Sequence, residues 1–224
     1  DLSSRGYKDA DAVIISALLV ENSTITSLGL VNNRITDTGM VPLFDALKEN
    51  SAITVLDLER NSEHQGPGLR DFALHGALQD GNNTTIRRVL GVYLSPENKA
   101  ALERNRVAYV RGAVRECKEA ALDLSNEGLG DAEAEAIAEE LGKNSTIIEL
   151  NLRGNEITGE GMVPLSEALK ANKTIKTLNL RGNKIGDQGL LPLCDALKEN
   201  STIAEVNLAC NKITGKGMVP LSDA

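Results

Sequence analysis

Apolar and polar residues first alternate along the chain and then change to a helical spacing. Leu150 and Leu152 flank a polar residue, and Met162, Leu165 and Leu169 then recur three or four residues apart. Alternation is typical of a half-buried strand, whereas recurrence near 3.6 residues is typical of one helix face. The pattern therefore predicts a short strand followed by a helix.

This strand–helix unit recurs along the chain with a 28-residue period. The segments that align without gaps are residues 23–50, 145–172, 173–200 and the shorter 201–224. Residues 1–22 also align with 123–144, so two blocks repeat at an offset of 122. One unit cannot cover its own apolar face, but stacked neighbours share a core between a parallel sheet and a row of helices.

The predicted fold is an α/β solenoid. Helices are roughly 10 Å wide and strands lie about 4.8 Å apart, so the stack should curve with its strands inside. We therefore expect a horseshoe with a concave parallel β-sheet and convex helices.

Asparagine, glycine and proline also recur with the 28-residue period. An asparagine comes after each predicted strand, at Asn33, Asn61, Asn155, Asn183 and Asn211. An inward amide there can bond the backbone of adjacent turns, which predicts a stacked asparagine ladder. Glycine is expected just before each helix and proline in its first turn, at Gly161, Gly189 and Gly217 and at Pro164, Pro192 and Pro220.

The motif LxxLxLxxNxIxxxGxxxLxxAL, seen from Ile147 to Leu169, resembles the ribonuclease-inhibitor class of leucine-rich repeats. The resemblance covers nearly all of the chain except about residues 62–121. It implies the fold far more strongly than a function, because that class includes enzyme inhibitors, GTPase-activating proteins, actin-filament end cappers and innate-immune sensors.

The period breaks after Asn61, where the distance from Ile53 to the next strand-initiating residue, Ile86, exceeds one repeat. A loop is lengthened here. It holds His64 and His75, which we interpret as surface or packing residues, since two histidines without further ligands are weak support for a metal site. The predicted domains are a first repeat block (1–93), a joining long-helix repeat (94–121) and a second, truncated block (122–224).

The joining repeat is predicted to contain a long helix, capped by Ser95 and starting at Pro96. Residues 87–118 contain eight basic and three acidic residues. The segment is interpreted either as an irregular connecting repeat or as a basic docking surface for an acidic protein, carried by Arg104, Arg111 and Arg115. Ile86 and this charged helix are similar to the terminal repeat of tropomodulin-type actin-capping proteins, over a stretch too short to imply function.

Composition argues against nucleic-acid-binding and membrane-associated proteins. No Trp, two Phe and three Tyr make the core aliphatic, and a net charge of -8 argues against nucleic-acid binding. No apolar run approaches the roughly 20 residues that span a bilayer, so no membrane association is expected. Three cysteines without a pairing pattern predict free thiols and a cytoplasmic location.

Six N-x-S/T triplets would be glycosylation acceptors in a secreted protein, and they begin at Asn22, Asn82, Asn83, Asn144, Asn172 and Asn200. Four of them occupy one repeat position, directly after a helix. A turn that favours asparagine explains them without a sugar.

Motifs for chemistry are absent from the sequence. No GxxxxGK[ST] or G-x-S-x-G occurs, and Cys194 occupies a repeat position that holds Ser166 or Phe44 elsewhere. We therefore expect no catalytic residue, no cofactor and no metal, and no enzymatic activity.

The residues flanking the inward leucines should face the hollow of the solenoid. In the second block these are Glu149, Asn151, Arg153, Thr177, Asn179, Arg181, Glu205 and Asn207. They would suit hydrogen-bonded and bidentate contacts with another protein, or they are simply the solvated residues of a repeat consensus.

The sequence thus predicts a protein–protein interaction scaffold that binds its partner through the curved solenoid surface. One alternative is a GTPase-activating protein, resembling the leucine-rich-repeat activators of small GTPases, which position a partner's own machinery. Another alternative is a structural subunit of a large complex.

Overall fold

A computed structural model describes residues 1–61, 74, 76–78, 85–90 and 94–218. The chain divides into two compact units, Asp1–Asn105 and Arg106–Ala224. The lengthened loop after Asn61, with His64 and His75, and the triplets at Asn82 and Asn83 lie outside the described residues.

Short strands alternate with longer helices along both units. The helices are α1 (Asp9–Val20), α2 (Asp37–Glu49), α3 (Pro96–Glu116), α4 (Asp131–Leu141), α5 (Gly159–Ala171), α6 (Gly186–Glu199) and α7 (Gly215–Met218). The strands are β1 (Ser27–Gly29), β2 (Val55–Asp57), β3 (Arg88–Leu90), β4 (Ala121–Asp123), β5 (Glu149–Asn151), β6 (Thr177–Asn179) and β7 (Glu205–Asn207). Leu74 and residues 76–78 are also helical.

The strands of the second unit form one parallel sheet in the order β4-β5-β6-β7. Leu150 pairs with Leu178, and Leu178 pairs with Val206, so each residue faces the one that occupies the same position in the next repeat. The predicted parallel stacking is confirmed. Leu150 and Leu178 and helix residues such as Met162 and Leu165 form an aliphatic core and are at most 1% exposed.

The first unit has a separate parallel sheet in the order β1-β2-β3. Leu28 pairs with Leu56, and Leu56 pairs with Val89. The second step is longer than one repeat, yet the inward positions still match. The additional residues are therefore accommodated between β2 and β3 without a change of register.

Buried asparagines join consecutive repeats behind the strands, as predicted. The Asn183 Nδ2 donates to the carbonyls of Leu152 and Leu180, both at 2.9 Å, and Oδ1 accepts from the Ile157 N–H at 3.1 Å. One side chain thus satisfies three main-chain groups of two repeats. The same pattern recurs at Asn33, Asn61, Asn155 and Asn211.

A second asparagine ladder closes the helices. The Asn200 Nδ2 donates to the carbonyls of Leu169 and Asn172 at 2.6 and 2.8 Å, and Oδ1 accepts from the N–H groups of Thr202 and Ile203 at 2.7 and 2.9 Å. Asn50, Asn144 and Asn172 make equivalent bonds. The N-x-S/T triplets at this position therefore serve the turn after the helix.

The predicted places of glycine and proline in the helix were wrong. Helix α5 begins at Gly159, after Thr158 caps it by accepting from the Glu160 N–H at 3.2 Å. Gly161 is therefore inside the first turn and Pro164 inside the second, with the same shift at Gly189, Gly217 and Pro192, and Pro220 lies outside the described residues. The physical reason for Gly161 is crowding, since a Cβ there would contact the Asp131 carboxylate.

The long helix predicted after Ser95 is confirmed as α3, 21 residues long. The Ser95 hydroxyl accepts from the Asn98 N–H at 3.3 Å, as expected of a cap. Leu102 belongs to the core of the first unit, and Val110 and Val114 belong to that of the second. The division of the chain at residues 94 and 121 stays a prediction.

Among the residues that the structure describes, no helix combines the length and the apolar character that crossing a membrane requires.

Candidate interaction surface

Side chains that point away from the core make one continuous face on the second sheet. We call this the second-sheet face; it comprises Asp123, Glu149, Asn151, Arg153, Thr177, Asn179, Arg181, Glu205 and Asn207. Glu149, Arg153, Arg181, Glu205 and Asn207 are exposed, whereas Asn151, Thr177 and Asn179 are half-buried. All eight predicted residues therefore lie together, either on the side of β5, β6 and β7 that faces away from the core or directly after those strands.

A row of asparagines runs across the middle of this face. Each one accepts, through Oδ1, a hydrogen bond from the backbone N–H two residues later: Asn151 from Arg153 (3.2 Å), Asn179 from Arg181 (3.2 Å) and Asn207 from Ala209 (3.1 Å). These local turns hold the side chains at the strand ends. They also assign the amide orientation, because Oδ1 must be the acceptor.

The Nδ2 group of each asparagine side chain is a hydrogen-bond donor. Asn151 Nδ2 donates to Asp123 Oδ1 at 3.0 Å. Within the described chain, Nδ2 of Asn179 and of Asn207 has no hydrogen-bond partner. Two amide donors on adjacent strands are therefore available to an acceptor-rich ligand, such as peptide carbonyls or carboxylates.

Asp123 is a member of this face that the sequence-based reading missed. It lies one repeat before Asn151 and pairs with it in the sheet. The signal was present in the alignment of the two blocks, but no strand was predicted over Ala121–Asp123, one repeat before Glu149–Asn151.

A shallow depression of about 300 Å³ lies on the same face. Its lining residues are Ala121, Leu122, Asp123, Glu149, Leu150, Asn151, Thr177 and Asn179. The Asp123 and Glu149 carboxylates make this end of the face a hydrogen-bond acceptor. The depression is open to one side of the sheet rather than enclosed.

Charges are separated along the strands. Glu149 and Glu205 lie at the strand beginnings, and Arg153 and Arg181 follow two adjacent strand ends. In the described part of the chain neither arginine forms an ion pair. The face therefore combines a carboxylate row, an amide row and an unpaired guanidinium row.

The basic helix offers fewer available charges than its composition indicated. The Arg106 Nε donates to Glu133 Oε1 at 2.7 Å, and the Glu133 side chain is only 1% exposed. Arg111 forms an ion pair with Glu139, and Arg115 lies 3.7 Å from Glu116. Arg104 is exposed. Carboxylates of α4 thus compensate much of the positive charge on the second half of α3.

The cysteines do not form a reactive centre. Cys194 is buried in the core of the second unit, and this burial raises the pKa of its thiol. A protonated thiol is a poor nucleophile. Cys117 is half-buried and Cys210 is exposed, and all three are free. The described residues contain no cluster of His, Cys, Asp and Glu that could hold a metal ion.

A family model described as "Leucine Rich repeat" matches residues 21–44, 143–166, 171–194 and 199–222. The curated proteins contain no match. Among solved structures, "Leiomodin-1 Actin-Binding Site 2 (ABS2)" is 18% identical, with 95% of this chain and 84% of that chain covered and a TM-score of 0.38. A Caenorhabditis elegans tropomodulin C-terminal domain is 12% identical, with 96% and 89% covered and a TM-score of 0.38. At these TM-scores neither likeness bears on the function of this chain.

The matched segments coincide with the structural repeat. Those that begin at residues 143, 171 and 199 follow one another at the 28-residue spacing of the second sheet, and the segment 21–44 contains β1 and the start of α2. The alternating strands and helices, the parallel register and the asparagine ladders all follow this repeat. The chain is a leucine-rich-repeat protein.

Proposed function

We propose that this protein is a binding scaffold whose second-sheet face recognises another protein, with no catalytic step of its own. The proposal rests on the polar groups of that face that are open to a ligand. The Nδ2 groups of Asn179 and Asn207 and the guanidinium groups of Arg153 and Arg181 have no partner in the described chain. A partner surface that supplies carbonyls and carboxylates would satisfy them.

The residue types on this face suit a polar interface. The face carries no Trp, Tyr or Phe, the residues that most often anchor tight interfaces. Specificity would then come from charge order along the strands, with Glu149 and Glu205 on one side and the arginines on the other. Such electrostatic complementarity favours rapid, selective association over very high affinity.

The basic helix is the weaker candidate for docking. Arg106 and Arg111 already have carboxylate partners on α4, so a partner protein would have to compete with Glu133 and Glu139 for them. On the sheet face no such competition exists for Arg153 or Arg181 among the described residues. We therefore favour the sheet face over Arg104, Arg111 and Arg115 as the binding surface.

The proposal is tested by quantitative affinity capture with three versions of the chain: wild type, Arg153→Glu/Arg181→Glu, and Arg115→Glu. All three sites are exposed, so the variants should fold alike. A specific partner should be lost with the double sheet-face variant and retained with the Arg115 variant. Equal capture by all three would remove the sheet face from consideration, and loss only with Arg115→Glu would move the site to α3.

The GTPase-activating alternative has a separate test. Purified chain is added to a panel of GTP-loaded small GTPases, and phosphate release is followed. Acceleration of hydrolysis would replace the passive scaffold with an activator, whereas unchanged rates across the panel leave the scaffold proposal standing.

We also propose a reducing, intracellular compartment. Three free thiols fit such a compartment. The Nδ2 atoms of Asn144, Asn172 and Asn200, which a glycan would occupy, already donate to main-chain carbonyls. Intact-mass measurement on protein from native cells should show no glycan, and a glycan on Asn172 or Asn200 would contradict the proposal.

A further inference from the structure

Helix α1 exposes a large apolar surface. Residues 12–20 contain no charged side chain, and Ile14 and Leu18 are 61% and 70% exposed. Val13 and Val20 are exposed as well. A helix that is apolar on all sides is normally covered. We therefore expect the exposed side of α1 to pack against another segment or molecule.

The same repeat positions elsewhere in the chain are buried or half-buried. The equivalents of Leu18 are Ala46, Glu140 and Ala196, which are 5%, 4% and 2% exposed, and Ala168, which is half-buried. The equivalents of Ile14 are Ala136, which is 1% exposed, and the half-buried Pro42, Pro164 and Pro192. In the second unit α3 lies beside α4, where Arg111 pairs with Glu139 and Glu140. In none of these repeats is the position exposed as it is in α1.

Asn22 provides a second, independent indication. Its Oδ1 accepts from the N–H groups of Thr24 and Ile25 at 3.1 and 2.8 Å, as in the other helix-closing asparagines. Its Nδ2 has no partner among the described residues, whereas Asn144 Nδ2 donates to the carbonyls of Val114 and Cys117 at 2.8 and 3.1 Å. Asn22 Nδ2 is therefore available to donate to main-chain carbonyls at the end of a neighbouring helix, as the equivalent Asn144 Nδ2 does.

We propose that Ile14, Leu18 and the Asn22 amide form a docking surface for one further strand–helix unit of the leucine-rich kind. Its helix lies beside α1 and ends with carbonyls facing Asn22 Nδ2. Opposite Leu18 it presents an aliphatic side chain, because Leu18 takes the place of Glu140, which pairs with Lys143 at 3.2 Å and lies 3.9 Å from Arg111, the cation that α3 places beside it. This surface is distinct from the second-sheet face and stands independently of the proposed function.

The chain itself supplies the probe. Residues 106–122 are the part of α3 and the following strand that belong to the second unit. When a copy of these residues is placed directly before Asp1, it precedes Asp1 as residues 106–122 precede Asp123. The carbonyl of the copied Val114 then lies beside Asn22, as that of Val114 lies beside Asn144. The copy carries Arg111→Leu, so that it meets Leu18 with an apolar side chain. The matched control carries Val110→Asp and Val114→Asp in the copy.

Hydrogen exchange of the α1 amides is measured in the full chain with each copy. Covering Ile14 and Leu18 should slow α1 exchange about tenfold or more, since the burial of one such side chain is worth at least that factor. The control copy should leave α1 exchange unchanged, and a copy that retains Arg111 should protect α1 less than the Arg111→Leu copy. The proposal is overturned if the Arg111→Leu copy gives no protection.

Sedimentation equilibrium of the unmodified chain tests a competing occupant. The proposal predicts a monomer, with the same sedimentation for Leu18→Glu. A dimer that Leu18→Glu dissociates would show that a second copy of the chain covers α1, and this too would overturn the proposal.

Discussion

Asp131 accepts two hydrogen bonds from Thr158, one from its backbone N–H at 2.8 Å and one from its hydroxyl at 2.7 Å. Asp131 is the first residue of α4 and Thr158 is the N-cap of α5, so the contact joins two adjacent helix starts. The same contact joins Asp9 to Thr36 and Asp187 to Thr214. Where Gly159 replaces the aspartate, Gly186 replaces the threonine, so both members change together.

The first prediction concerns this link. Asp131→Ala removes both acceptors and leaves the Thr158 N–H unsatisfied, which should lower the free energy of unfolding by about 1–2 kcal/mol. Urea denaturation measures the change. Asp195→Ala, at an exposed aspartate of α6, is the control and should have no measurable effect. Equal losses for both variants would show that the link does not stabilise the stack.

The second prediction concerns the ladder behind the strands. Asn183→Ala leaves the Leu152 and Leu180 carbonyls and the Ile157 N–H unpaired in the core, and should cost about 3 kcal/mol. Asn179→Ala, on the exposed face, removes one local turn bond and should change stability far less. A small loss for Asn183→Ala would mean that water replaces the amide.

The third prediction uses two glycines within helices. A Cβ at Gly161 would contact the Asp131 carboxylate, so Gly161→Ala should destabilise the protein by roughly 1–3 kcal/mol. A Cβ at Gly112 of α3 meets nothing within 4 Å, so Gly112→Ala should stabilise it by roughly 0.5–1 kcal/mol. Thermal unfolding distinguishes the signs. Stabilisation by both substitutions would contradict the close approach of α4 and α5.

The fourth prediction concerns the buried ion pair between α3 and α4. Arg106→Met leaves the Glu133 carboxylate, 1% exposed, without its cation and should cost about 3 kcal/mol or more at neutral pH. The exposed pair of Lys170 and Glu199, 2.7 Å apart, is the matched control. Glu199→Gln should leave the urea midpoint unchanged. An unchanged midpoint for Arg106→Met would show that the pair contributes no stability.

The fold was predictable because the residues that form its core layers recur in the sequence at a constant spacing. Leu150, Leu178 and Val206 occupy one column of the alignment, and parallel strands place that column in one row of the core. The ladder of Asn155 and Asn183 followed for the same reason, since a polar residue recurring beside inward leucines must satisfy backbone groups there.

Contacts between neighbouring layers were not predictable in the same way. Asp131 and Thr158 are separated by one residue less than a full repeat, so a search at the repeat period does not pair them. Their joint replacement by glycine was nevertheless a visible signal. The contacts of Arg111 with Glu139 and Glu140 depend on which side of α3 faces α4. Composition alone therefore overstated how much charge α3 offers to a partner.

The fold depends on the recurring layers of the sequence stacking as adjacent parallel strands. Nuclear Overhauser contacts between backbone protons of β5, β6 and β7 measure this stacking. We expect interstrand contacts that link residues around Leu150 with those around Leu178, and those around Leu178 with Val206, in a parallel pattern. Antiparallel contacts, or pairing of Leu178 with residues outside its own column of the repeat, would contradict it.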